Sequence, residues 1–115
     1  MLDVLLDAEP LSQVVFIHDY IQLVFQGMRW SLYNPVSVHR NGCTLTASDI
    51  GFADELRCLI GHRVVGTSTE SGQFSAVTFE EQTQVSVSLR SEDAVGPEAY
   101  ELGDDKGLHV VEHNN

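Results

Sequence analysis

The sequence predicts an α+β fold: a twisted antiparallel sheet of about six or seven strands, curled toward a half-barrel, with one main helix (about 49–60) packed on it. Three observations lead there. Apolar residues alternate with period two from Val14 to Phe25 and again from Met28 to Val38, across a Gln26-Gly27 turn. Asn41-Gly42 is the strongest short hairpin signal in the chain. Phe52, Leu56, Leu59 and Ile60 then recur at helical spacing ahead of Gly61, which suits the residue just past a helix end.

Each element follows from local chemistry. Leu2, Leu5 and Leu6 share one face of a short amphipathic helix that Pro10 ends. In the hairpin around Gln26-Gly27, Phe25 faces Met28, Leu23 faces Trp30, Ile21 faces Leu32 and Ile17 faces Val36. The opposite side carries Val24 with Arg29, Gln22 with Ser31 and Tyr20 with Tyr33. Pro35 has no N–H to donate, so Asn34-Pro35 marks a bend, a bulge or an edge. The Asn41-Gly42 turn sets Val38 opposite Leu45 and Arg40 opposite Cys43.

Ser48-Asp49 offers the helix an N-cap. Strands resume at Val64-Val65, turn at Ser71-Gly72, and run again over Phe74 to Phe79. A loop at Glu81-Gln82-Thr83 would place Phe79 opposite Val85 and Val77 opposite Val87. Val85, Val87 and Leu89 alternate with Ser86 and Ser88, the pattern of a half-buried strand. After Ser91 the chain turns acidic, and a last strand or loop over the sheet gives way to a frayed segment at about 103–115.

With 115 residues, 43% hydrophobic and 20% charged, the chain is read as a single globular domain over 1–115. No apolar run approaches the ~20 residues that cross a bilayer. Asp3 and Asp7 stand where a signal peptide wants basic residues, so the expected location is cytoplasmic. Two cysteines, Cys43 and Cys58, without a paired motif read as reduced thiols, with a single disulfide as the alternative.

Seventeen acids against six bases give a net charge of −11. A phosphate backbone or an anionic membrane wants a basic face, so neither nucleic acid nor membrane is an expected partner. The acidity serves solubility or salt adaptation, or it steers in a basic partner.

Among candidate site residues, Asp19 stands out because its parity points it at the apolar side, opposite Asn34. A carboxylate there needs partners. It is either a polar pair fixing the bend at Pro35 or a ligand anchor or base at the mouth of a cavity that also holds Trp30. On the other face Tyr20, Tyr33 and Arg29 form an aromatic and basic patch of interface-prone types. Asp54, Cys58 and His62 have ligand spacing on a continuous helix, but Gly61 interrupts it, so no metal is expected. No phosphate loop, nucleophile elbow or zinc-protease motif occurs. The expected catalytic set and the expected cofactor are both none.

The run Ile17-His-Asp-Tyr-Ile-Gln-Leu-Val-Phe25, with Leu32-Tyr-Asn-Pro35, Leu59-Ile-Gly61, Val87-Ser-Leu-Arg-Ser-Glu-Asp93 and Gly96-Pro-Glu-Ala99, resembles small bacterial proteins of an uncharacterised family. The resemblance spans most of the chain and implies no reaction, cofactor or site residue. In size and charge the chain is also similar to immunity proteins that neutralise basic toxins. The expected function is a non-enzymatic binding module for a protein partner, basic in character, or for its own copy as a homodimer. The alternative is a small-ligand pocket or enzyme site near Asp19 and Asn34.

Overall fold

A two-residue turn at His18-Asp19 divides the long first strand in two, and the architecture changes with it. The computed structural model describes residues 1–114. It holds ten strands in two antiparallel sheets of five, with half the chain in strands and 16% helical. The expected single sheet carrying one main helix is therefore overturned.

The first sheet contains β1 (Leu11–Ile17), β2 (Tyr20–Phe25), β3 (Met28–Leu32), β9 (Glu98–Asp104) and β10 (His109–His113), in that spatial order. The second contains β5 (Cys43–Thr46), β4 (Val36–Arg40), β8 (Gln84–Ser88), β7 (Phe74–Phe79) and β6 (Val64–Glu70), again in spatial order. The chain passes from β3 to β4 through Tyr33-Asn34-Pro35, and it returns from β8 to β9. The central strands of both sheets are thus joined by short crossings.

Alternation explains why the two sheets share one core. Leu23, Phe25, Trp30, Leu32, Tyr100 and Leu102 are buried on the first sheet, and Val36, Val38, Val77, Phe79, Val85 and Val87 on the second. The Phe25 and Phe79 rings stack across the gap with centroids 6.3 Å apart. Leu11 bonds to the backbone just before β6, its N–H to His62 O at 2.9 Å and its O to Gly61 N at 2.8 Å. This tie draws an edge of each sheet together at one corner. A 3-10 helix over Leu2–Asp7 buries Leu2 and Leu5 there.

Several registers are as the residues imply. Phe25 pairs with Met28, Leu23 with Trp30 and Ile21 with Leu32. Val38 pairs with Leu45 and Arg40 with Cys43, and Asn41 and Gly42 have the positive φ angles of 52° and 77° that such a turn requires.

Other registers differ for local reasons. Ile17 pairs with Tyr20 instead of Val36, so Asp19 is an exposed turn residue and does not face Asn34. Val77 pairs with Val85, two residues off the expected match. Glu80–Gln82 form a 3-10 turn in which Glu81 and Gln82 take φ of 66°, and Phe79 N bonds to Thr83 O at 2.8 Å, so the three-residue loop sits one position earlier than expected. Because the shift is even, every side chain keeps its face.

The helix α1 is only Phe52–Arg57, with Gly51 at its N-cap in place of Ser48-Asp49. The Asp49 carboxylate instead accepts from Thr46 N at 2.8 Å and Thr46 Oγ1 at 3.1 Å, closing the turn after β5. Near the C-terminus β9 and β10 form a hairpin, whose turn is held by the Asp104 carboxylate accepting from Lys106 N and Leu108 N. The segment expected to fray extends to Asn115, which lies outside the described residues.

Candidate functional site

At one end of the sandwich the β1–β2 turn, the β3–β4 crossing and the start of α1 stand apart and leave an open cavity of about 660 Å³. Its apolar floor is Ile21, Leu32, Val36 and Phe52. The lip is apolar too, and here exposure decides the reading. Phe16 is 51% exposed, Ile17 37% and Val95 70%, and all three line the cavity. Apolar side chains gathered at one opening are a different signal from isolated surface ones.

Charge around the cavity has one sign. Asp19, Asp49 and Asp54 line it, and no Lys or Arg does. Asp49 is committed to Thr46, and Asp54 pairs with Arg57 at 3.7 Å. Asp19 has no side-chain partner among the described residues.

Asn34 is 2% exposed and acts as a wall. Its Nδ2 donates to Ser88 O at 2.9 Å and to Asn114 Oδ1 at 2.8 Å. Its Oδ1 accepts from Asn114 Nδ2 at 3.2 Å and Val95 N at 3.4 Å. The amide thereby holds the loop that carries Val95 beside the cavity.

A smaller hollow of about 260 Å³ adjoins the first. The two share Asp19, Tyr20, Tyr33 and Val95, and the smaller adds Gly96, Pro97 and Glu98. The Tyr20 and Tyr33 rings have centroids 5.1 Å apart and are tilted by 54°. Burial pushes the Tyr33 phenol up to about 12, and the Glu101 carboxylate beside it adds to the shift by its charge and by accepting the hydroxyl's hydrogen bond. Glu101 also meets His109 Nε2 at 3.0 Å.

Of the residues singled out in the sequence, Asp19, Asn34, Tyr20 and Tyr33 come together here. Trp30 does not; it is fully buried between the sheets, edge-on to Tyr100 at 6.0 Å. Arg29 lies along β3 and pairs with Asp105 at 3.7 Å. The lip residues Phe16, Ile17 and Val95 carry no site signal in the sequence, since each reads as an ordinary strand or loop residue.

No family model, curated protein or solved structure matches the chain. What the site can do rests on its own residues. Among the described residues no three His, Cys, Asp or Glu side chains gather as a metal site needs, and no helix is long and apolar enough to cross a membrane.

Proposed function

We propose that the chain is a non-enzymatic, cytoplasmic binding module whose open cavity docks an apolar segment of a basic protein partner. The observation that carries this reading is the exposed apolar lip of Phe16, Ile17 and Val95 around a cavity whose Asp residues are joined by no Lys or Arg. The lip supplies area to bury, and the carboxylates select a cationic partner. A second copy is the competing occupant, and two such rims on chains of net charge −11 would repel.

A second reading has its own support. The cavity volume of about 660 Å³ lies within the range of small-molecule sites, so a small amphipathic cation is the alternative ligand near Asp19 and Asn34.

The test is fluorescence anisotropy with two short labelled peptides, one alternating Leu with Arg and one alternating Leu with Glu. Saturable binding of the first alone, weakened by Phe16→Ser, is the expected result. Failure of the Leu/Arg peptide to bind, or binding indifferent to Phe16→Ser, overturns the docking reading.

A further inference from the structure

We infer that the hollow between Tyr20, Tyr33, Asp19 and Glu98 is a cation site that receives an arginine side chain from the docked segment; the inference rests on the docking reading above. The two tyrosine rings meet at 54° with centroids 5.1 Å apart, so they form an open angle instead of a closed stack. An aromatic face attracts a cation through its quadrupole, and a guanidinium adds stacking over the ring. Burial and the neighbouring Glu101 carboxylate keep the Tyr33 hydroxyl protonated.

The carboxylates complete the site. All five arginines of the chain (Arg29, Arg40, Arg57, Arg63 and Arg90) pair with carboxylates elsewhere. Asp19 and Glu98 have neither a cationic partner nor a side-chain hydrogen bond among the described residues. Two unpaired carboxylates beside two aromatic faces want a planar, multi-donor cation, which is arginine's chemistry more than lysine's. The hollow opens onto the apolar cavity through Asp19, Tyr20, Tyr33 and Val95, so a segment lying across the lip brings such a side chain within reach.

The experiment compares the Leu/Arg peptide with a counterpart in which citrulline replaces arginine, keeping shape and removing charge. On the wild-type protein the citrulline peptide should bind about tenfold more weakly. Glu98→Gln and Tyr20→Leu should each shrink that ratio to about twofold. Phe16→Ser should weaken both peptides and leave the ratio intact. Matching unfolding midpoints establish that each variant folds. A ratio that stays about tenfold in Glu98→Gln and Tyr20→Leu overturns the cation site and leaves the docking reading standing, since Asp49 and Asp54 line only the larger cavity. Equal binding of the two peptides to wild type overturns both. Binding of neither peptide overturns both. Benzyltrimethylammonium is the free-cation arm: if it binds in a Glu98- and Tyr20-dependent way while the Leu/Arg peptide does not, the site serves a small ligand and the arginine assignment falls.

Discussion

Asn34 and Asn114, 80 positions apart, exchange amide hydrogen bonds in both directions, at 2.8 Å and 3.2 Å. The pair joins the β3–β4 crossing to the residue after β10, and Asn114 also bonds to Pro97 O and Gly96 O. One buried amide therefore ties both crossings and the chain end at the cavity wall.

Asn34→Ala should cost ~1–3 kcal/mol, since it takes the side-chain partner from Ser88 O, Asn114 Oδ1 and Val95 N at once. Asn114→Ala should cost less, because Asn34 keeps Ser88 and Val95 as partners. Chemical denaturation of the two variants gives the ranking. An equal loss in both would show that the amide pair acts as one unit.

Tyr33 sets a prediction at high pH. Its folded pKa of about 12 lies above the unfolded value near 10, so the fold favours the protonated phenol. Stability from this group is complete below pH 10 and is lost as pH climbs through 12. Spectrophotometric titration of tyrosinate should show a late-ionising component that Tyr33→Phe removes. Retention of that component in the variant would assign it to Tyr100, whose phenol burial also raises.

Trp30 separates core from site. It is fully buried, and its Nε1 has no hydrogen-bond partner among the described residues. Trp30→Ala should cost ~3–5 kcal/mol through the cavity it leaves. Trp30→Phe should cost much less, because it removes the unpaired N–H together with part of the ring. Trp30 does not line the cavity, so its blue-shifted emission should stay unchanged when a peptide binds. A shift in emission on binding would mean that the core itself rearranges.

What the residues made legible was alternation, and alternation has a blind spot. The pairs around Gln26-Gly27 and Asn41-Gly42 could be read because each turn carries a glycine at positive φ. His18-Asp19 makes its turn without positive φ, and apolar residues continue on both sides, so the period alone does not reveal the break. That one turn converts a long strand into two and brings Asp19 out to the cavity mouth. Asn34 was visible as a polar residue needing a partner, but the partner lies at the other end of the chain, beyond any local pattern. The helix was overextended because Leu59 and Ile60 keep helical spacing after α1 ends at Arg57. The lip was illegible for a simpler reason: exposure is a property of the assembled sheets.

The acids near β9 offer the sharpest kinetic contrast. Glu92 pairs with Arg90, Asp93 accepts from Ser88 Oγ at 2.6 Å, and Glu101 meets His109. Glu98 alone of these four has no side-chain partner among the described residues, and it lines the smaller hollow. On the docking reading all four contribute to the field that steers a cationic peptide, and salt screens that field beyond ~8 Å at physiological ionic strength. Glu92→Gln and Glu98→Gln should therefore slow association of the Leu/Arg peptide to a similar, small extent, and added salt should erase the difference from wild type. Dissociation should part them. Glu98→Gln should speed it several-fold, because it removes a contact made only in the complex, whereas Glu92→Gln should leave it unchanged. Surface plasmon resonance at low and high salt measures both rates. Equal dissociation rates for the two variants would reduce Glu98 to one more steering charge.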